Sequence, residues 1–547
     1  MQSIYPRPSL VREKWQSLDG MWTLNGKQIR VPYPPQSRLS GWEGEVPDRL
    51  LYERGFTPEL PGTGQRMLLH FGAVDQTCSV YLNGEPAGSH EGGYLPFTLD
   101  ITDLLKEGRN VLRVEAEDTL SHDYPYGKQT RKPGGMWYTP VSGIWQSVWY
   151  ETVPEKHIEK VTFDTDIRTG KVIWKIDSSA ENFRVVISTE ERVLAEVSSG
   201  LTGETVIRPE DLILWSPDSP SLYNVTVNTD SGDEIRTYFA FREFSVRDLN
   251  GVSRLCLNGE PVFLNGVLDQ GYYPDGIFLP ENLRDYDRDI SLMKQMGFNT
   301  LRKHIKVEPE YFYSACDRLG MIVIQDMVNS GDYSFLRDTA LPTVGIKKIS
   351  DRKETEGKRE QFFRKHMLDT AEHLDGHPCI AVYTIFNEGW GQFNSDSMYD
   401  LLKEKHPDRL IDSASGWFSQ EKSDFDSEHV YFREKTLRPG RRPMLLSECG
   451  GFILDVDPSS RKGPVWGYGK CRTPEELTDR IEHLYRNMVI PAVSRGLCGC
   501  IYTQLSDVEN ELNGLVSYDR KTIKAVIPRL REISRLVSGE LGSSGKE

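Results

Sequence analysis

Hydrophobic and polar positions along this chain follow three textures in turn. Up to about residue 153, short runs alternate apolar and polar side chains, as in Met67-Leu68-Leu69-His70-Phe71 and Cys78-Ser79-Val80-Tyr81-Leu82, with Asn-Gly and Gly-Gly turns between them. Many short period-two runs separated by turn signals predict the strands of a sandwich. From 154 to 246 the alternation continues in Val172-Ile173-Trp174-Lys175-Ile176 and Tyr223-Asn224-Val225-Thr226-Val227, a length suited to one further sandwich. After Leu249-Asn250-Gly251 the period changes, and apolar runs alternate with amphipathic stretches. One such stretch, 284–296, puts Ile290, Met293 and Met296 on one helical face and is stopped by Gly297. Strands alternating with helices predict parallel β/α units.

Eight apolar runs occupy this last region, at 261–267, 298–302, 321–325, 379–386, 409–412, 428–431, 444–447 and 499–503. That number closes a barrel. The expected organisation is therefore a sandwich over 1–153, a second sandwich over 154–246, a barrel over 247–541 and a mobile tail over 542–547. Between the third and fourth runs, 328–356 carries glycine, serine and charge with little apolar periodicity, which predicts a rim or lid over the barrel mouth.

Two of the eight runs end alike. The fourth leads through Ile385-Phe386-Asn387-Glu388 into Gly389-Trp390-Gly391, and the seventh through Leu445-Leu446-Ser447-Glu448 into Cys449-Gly450-Gly451. A parallel barrel turns the C-terminal tips of its strands toward one mouth, so Glu388 and Glu448 are expected to face each other there. Two carboxyl groups so placed can divide labour: one protonates a departing oxygen, and the other attacks carbon or activates water. For Asn387 and Glu388 alone, the competing reading is a helix cap followed by a solvated loop carboxylate.

These two segments, Phe386-Asn387-Glu388-Gly389-Trp390-Gly391 and Ser447-Glu448-Cys449-Gly450-Gly451, resemble the acid/base and nucleophile motifs of glycoside hydrolase family 2. Tyr81-Leu82-Asn83-Gly84-Glu85-Pro86, Glu91-Gly92-Gly93-Tyr94-Leu95-Pro96-Phe97 and Pro140-Val141-Ser142-Gly143-Ile144-Trp145-Gln146 resemble the jelly-roll sugar-binding domain that opens such chains. Trp215-Ser216-Pro217 and Phe239-Ala240-Phe241-Arg242-Glu243 resemble its immunoglobulin-like sandwich, with Arg242 placed to brace the barrel floor. The resemblance implies an N-terminal jelly-roll β-sandwich, an immunoglobulin-like β-sandwich and a C-terminal (β/α)8 TIM barrel. It further implies an exo-acting retaining β-glycosidase, galactoside preferred, with Glu388 as general acid/base, Glu448 as nucleophile and Asn387 as partner of the sugar 2-hydroxyl. Arg302, in Asn299-Thr300-Leu301-Arg302, is implied to keep the nucleophile ionised, and His429 and Tyr431 to support the same carboxylate.

Departures from the family pattern leave the sugar open. The first run is followed by Leu268-Asp269-Gln270-Gly271 rather than a histidine cluster, and Gln325-Asp326-Met327 stands where a metal-ligand pattern is expected. No metal or cofactor is therefore expected. The Asn-x-Lys signature by which β-glucuronidases hold a carboxylate is absent from the barrel region. A mannoside, glucuronide or pentoside remains an alternative substrate, and a catalytically silent carbohydrate-binding protein an alternative function.

Strand-tip placement adds polar candidates for contacting a hydroxyl-rich ligand: Asp269, Arg302, His304, Asp326, Asp412, His429, Tyr431 and Gln504, with Trp390 and Trp417 as ring platforms. Each has a competing role as a residue that supports the contacts of others.

Charge narrows the partners. A formal net charge of -15 argues against nucleic acid or an anionic membrane, which would select concentrated Lys and Arg. A carbohydrate is the expected partner, and the resemblance makes a homo-oligomer plausible. The opening residues show no basic segment leading into an apolar one and no long apolar run follows, so a cytoplasmic protein without a membrane span is expected. The 8 cysteines are scattered, several within apolar runs, and are expected to be reduced and packed. Cys498-Gly499-Cys500 lacks the second pair that zinc needs. Nothing beside Cys449 would activate its thiol, so Glu448 is preferred as nucleophile.

Overall fold

The computed structural model describes residues 4–343, 346, 357–431, 434–458 and 463–543. In the first unit a six-stranded antiparallel sheet runs in the order Lys27–Val31, Gly20–Leu24, Arg49–Phe56, Asn110–Glu117, Thr77–Leu82, Glu85–Glu91. A four-stranded sheet, Trp15–Ser17, Val148–Pro154, Gln65–Phe71, Phe97–Asp100, completes the sandwich. Alternation sets the faces: along Asn110–Glu117, Leu112, Val114 and Ala116 are buried, while Val111, Arg113 and Glu117 are exposed. Trp22, Val80 and Leu112 of the larger sheet share a core with Leu69 and Phe71 of the smaller.

The second unit pairs a three-stranded sheet, Ile158–Asp166, Lys171–Ser178, Thr202–Val206, with a four-stranded one, Val193–Ser199, Phe183–Ser188, Tyr223–Thr229, Glu234–Phe239. Trp174, Ile187, Val225 and Phe239 fill the space between them. Arg242 then donates to the Pro378 carbonyl at 3.0 Å, where the chain enters a barrel strand, so it does brace that end of the barrel.

The barrel strands are β1 (Leu264–Asp269), β2 (Thr300–Lys303), β3 (Ile322–Asp326), β4 (Ile380–Asn387), β5 (Leu410–Ser415), β6 (Asp426–Val430), β7 (Met444–Gly450) and β8 (Leu497–Thr503). They lie in the order β5-β4-β3-β2-β1-β8-β7-β6, and every paired neighbour is parallel. Apart from β6, every residue of these strands is buried, the pattern of strands covered on both faces. Between β5 and β6 no ladder forms. The seam is stitched instead by Asp424, whose N–H donates to the Ile411 carbonyl and whose carboxylate accepts the Ile411 N–H, each at 2.9 Å.

β1 begins later than the sequence pattern suggests. Glu260–Pro261 pairs with Val252–Leu257 in an antiparallel meander begun by Phe244–Leu249, because Pro261 has no N–H to give to a central ladder. The predicted amphipathic helix is α1, Asp285–Gln295, followed by Gly297 at φ +95°. Among the described residues, helices follow six of the strands, and β5–β6 and β6–β7 are joined without one.

Of the expected lid, 328–343 and 346 are described, and the remainder of 328–356 lies outside the described residues. The described part packs onto the tip of β4: Asn329 Nδ2 donates to the Trp390 carbonyl at 2.7 Å, and the Trp390 indole to the Gly331 carbonyl at 2.8 Å. In the expected tail, residues 542 and 543 belong to the last helix, Ile527–Ser543, and 544–547 lie outside the described residues. All 8 cysteines are buried and unbridged. No helix among the described residues is long and apolar enough to cross a membrane.

The segment 118–141 leaves the first sandwich and crosses to the barrel mouth. The Tyr126 and Gly127 N–H groups both donate to the Asn329 carbonyl, at 3.0 and 3.2 Å, and the Tyr126 hydroxyl to the Gly331 carbonyl at 3.0 Å. At its far foot, the Thr139 N–H donates to Glu509 Oε1 at 2.8 Å and the Tyr138 hydroxyl to Glu511.

Candidate active site

Strand alternation on β2 turns Arg302 into the barrel, and the site is built around it. Its side chain is 0% exposed, and every nitrogen is engaged: Nε with Asp326 Oδ1 at 2.9 Å, Nη2 with Asn387 Oδ1 at 2.8 Å, and Nη1 with Glu448 Oε1 at 3.1 Å and the Ser447 carbonyl at 3.0 Å. One planar fork thus fixes groups from β3, β4 and β7 together. Burial alone would lower its pKa, but the charges of Asp326 and Glu448 outweigh that and raise it, so Arg302 is a permanent cation. His304 Nδ1 meets Asp326 Oδ2 at 2.8 Å, and burial lowers the pKa of this imidazole despite that carboxylate.

Glu388 sits just past β4 in a left-handed backbone conformation, φ +53°, which is uncommon for a residue with a side chain. The turn beyond it requires glycine: Gly391 has φ +69°, and a Cβ there would lie 2.1 Å from the Ser330 carbonyl oxygen. The turn sets the Glu388 carboxyl opposite that of Glu448. The Tyr431 hydroxyl lies between them, 3.0 Å from Glu388 Oε1 and 2.7 Å from Glu448 Oε2. His429 Nδ1 lies 2.7 Å from Glu388 Oε1, while its Nε2 meets Ser415 Oγ at 2.9 Å and stands 3.7 Å from Glu448. Glu388, His429 and Glu448 each offer one donor atom within 4.8 Å of the others.

The two carboxyl groups differ in setting. Burial pushes the pKa of Glu388 above the ordinary carboxylate value, and the nearby charge of Lys128 only partly opposes this. Glu448, by contrast, has the Arg302 guanidinium against it. A phenol carries one proton, so both Tyr431 contacts are hydrogen bonds only while one carboxyl is itself protonated. Burial makes that one Glu388.

The structure therefore brings together Glu388, Glu448, Asn387, Arg302, His429 and Tyr431, with Asp326 and His304 one step behind Arg302. His429, expected beside Glu448, stands 3.7 Å from it and in addition meets Glu388 at 2.7 Å; it lies at a break in the β6 register between Glu428 and His429. Asp269 is directed elsewhere: its carboxylate is held by Lys303 Nζ at 2.6 Å and by the Gly271 N–H at 2.9 Å. Gln504 donates to Asn513 Oδ1 at 2.8 Å and makes no recorded contact with the carboxyl pair. Trp390 and Trp417 are 2% and 4% exposed, too enclosed to serve as open platforms. Trp417 donates to the Asp338 carbonyl and meets the His429 ring edge-on at 5.3 Å. Asp412 is buried, with its pKa pushed up to about 6 by burial. Gln325, at the departure from the metal-ligand pattern, is tied to the Tyr313 hydroxyl and the Lys306 carbonyl.

Several groups at the mouth come from outside the sequence-based set. Tyr468 stacks on Tyr431 with ring centroids 4.4 Å apart. Glu511 is buried against Tyr138 and Asn513. Lys128 and Trp137 arrive on the crossing segment 118–141, and Trp137 packs edge-on against Trp390 at 4.9 Å and Tyr333 at 5.0 Å. The available signal was a long stretch of glycine and aromatic residues without strand alternation inside a sandwich domain.

Comparison with known proteins agrees with this architecture. The family described as "Glycosyl hydrolase 2 galactose-binding domain-like" matches residues 45–145, "Glycosyl hydrolases family 2" matches 156–242, and "Glycosyl hydrolases family 2, TIM barrel domain" matches 248–436. A β-galactosidase of Priestia megaterium is 24% identical over 531 residues, covering 84% of this chain and 48% of that protein. A β-galactosidase of Thermoanaerobacter pseudethanolicus is 27% identical over 301 residues, 50% of this chain and 39% of that one. This chain thus aligns with less than half the length of these curated relatives. The solved structure of a β-D-glucuronidase from Dictyoglomus thermophilum shares the fold with a TM-score of 0.75 at 19% identity, over 97% of this chain and 98% of that one.

Proposed function

From the premise that this chain belongs to glycoside hydrolase family 2, we propose that it is an exo-acting β-glycosidase that hydrolyses with retention of anomeric configuration. The observation that carries this reading is the closeness of the two carboxyl groups. Oxygens of Glu388 and Glu448 lie within 4.8 Å of each other, with one phenol reaching both. Retention calls for carboxyl groups about 5–5.5 Å apart, so that the nucleophile touches the anomeric carbon, whereas inversion needs about 6.5–9.5 Å to admit a water between.

In this reading Glu448, ionised beside Arg302, attacks the anomeric carbon as Glu388 gives its proton to the departing oxygen. Asn387, oriented by Arg302 Nη2, presents its amide to the sugar 2-hydroxyl. Esterification removes the charge of Glu448, which lowers the pKa of Glu388 and lets it take a proton from the incoming water. A β-galactoside is the sequence-based preference for the sugar. The test is to incubate the protein with 2-deoxy-2-fluoro β-glycosyl fluorides and locate the adduct by peptide mass spectrometry. A glycosyl ester on Glu448 is expected, and an ester on any other group overturns the assignment.

A further inference from the structure

Among the buried cations of the described residues, the Lys128 side chain has neither an ion pair nor a hydrogen bond. Eight Lys and Arg side chains are buried among the described residues. Arg12, Arg302, Lys303, Lys306, Arg409 and Lys524 each pair with carboxylates, and Arg254 donates to the carbonyls of Val493 and Ser494. Lys128 is 8% exposed, and among the described residues its ammonium has neither a carboxylate within 4.0 Å nor a hydrogen bond. Its Nζ lies 5.6 Å from the centroid of the Trp137 ring. An ammonium on a largely enclosed side chain, with three donors that no described protein group meets, is a natural receptor for an anion.

The surroundings say where that anion would come from. Trp137 closes one side, and Trp137 in turn rests on Trp390 and Tyr333 at the tip of β4. On the other side lies the mouth: Trp390, on which Trp137 rests, is two residues from Glu388, and the charge of Lys128 reaches Glu388, His304 and Glu511. Glu511 is committed to Tyr138 and Asn513, and Glu388 must hold its proton to start the cycle, so neither is a standing counter-ion.

We propose that Lys128 is the receptor for an anionic substituent, carboxylate or sulfate, on the sugar bound between Glu388 and Glu448, so that acidic β-glycosides are preferred over neutral ones. This rests on the glycosidase reading and narrows it. Specificity then comes from the first sandwich, at a position remote in sequence from the barrel motifs.

The experiment measures kcat/KM for the 4-nitrophenyl β-galactoside, β-galacturonide, β-glucuronide and 6-sulfo-β-galactoside with wild type, Lys128→Met and Lys128→Arg. Wild type should favour at least one acidic substrate over the neutral galactoside, and which one separates carboxylate from sulfate. Lys128→Met should reduce the acidic-to-neutral ratio by on the order of 10- to 100-fold, mainly through KM, with Lys128→Arg recovering part of it. A wild type that prefers the neutral galactoside overturns the proposal. So does a Lys128→Met variant that slows all four substrates equally while shifting the pH profile, because Lys128 would then only tune Glu388. Inactivity on all four counts against the glycosidase reading instead. Calorimetric titration of galacturonate and galactose into wild type and Lys128→Met then decides the role of Lys128, and equal affinity for the two sugars rejects it.

Discussion

Arg302 and Lys303 are consecutive residues of β2, each with a side chain 0% exposed, and each anchors a cluster of buried acids. Arg302 points into the barrel and holds Asp326 and Glu448. Lys303 points into the wall, where it lies 4.2 Å from the Phe312 ring centroid and holds Asp269 at 2.6 Å and Glu308 at 2.8 Å. Lys306 closes the wall cluster on the same Glu308 at 2.9 Å. Burial and ion pairing are therefore common to both sides of the strand and distinguish neither. The difference is that the inner cluster ends in Glu388, which keeps 12% of its side chain exposed and faces a second carboxyl group, whereas the wall cluster has no such open end. Charges that hold a fold and charges that perform chemistry can be one residue apart.

The sharpest way to break that contrast is at the open end. Glu448→Gln should remove turnover, and Glu388→Gln should lower kcat by about 10²–10⁴-fold on glycosides with poor leaving groups, less on aryl glycosides that need little protonation. Equal losses on both kinds of leaving group would deny Glu388 the acid role. Next in size, Arg302→Lys keeps the charge but gives up the fork that reaches three strands. A fall in kcat/KM on the order of 10²-fold is expected, and wild-type rates would mean that Asn387 and Glu448 are held by something else.

The wall cluster should answer to a different measurement. Lys303→Met leaves Asp269 buried without its cation and Glu308 with the Lys306 cation alone, and should cost about 3–5 kcal/mol in urea unfolding, while turnover per folded molecule stays within a few-fold. Lost turnover at unchanged stability would erase the distinction between the two sides. The smallest effect concerns pH. Because Glu388 acts as an acid only while protonated and its pKa is raised, the alkaline limb of kcat/KM should lie above the ordinary carboxylate range. That limb should vanish in Glu388→Gln, and a limb that persists there belongs to another group.

Much of the barrel is legible in the sequence because parallel strands buried on both faces read as unbroken apolar runs, and the two carboxyl groups follow from the tips of β4 and β7. Arg302, Asn387 and Tyr431 follow by the same logic. Asp269 shows where it stops. It closes β1 as Asn387 closes β4, yet its carboxylate turns to Lys303, and period-two alternation sorts in from out only once the register between strands is known. Trp390 and Trp417 are aromatic and adjacent to the right turns, but their indole N–H groups are drawn to the Gly331 and Asp338 carbonyls, contacts that no local pattern encodes. Lys128, Trp137 and Tyr468 were invisible for a simpler reason: they reach the mouth from segments far from the strand tips.

The crossing segment 118–141 has a consequence for how this molecule is made. Its far foot is Tyr138 on Glu511, two residues separated by nearly the whole barrel in chain order. During synthesis the first sandwich leaves the ribosome before the landing place of its arm has been made. The foot of the arm on Glu511 can thus be set only after β8 and the residues up to 511 have been made. Fragments ending before residue 511 would leave that arm without its anchor, even where their sandwiches fold.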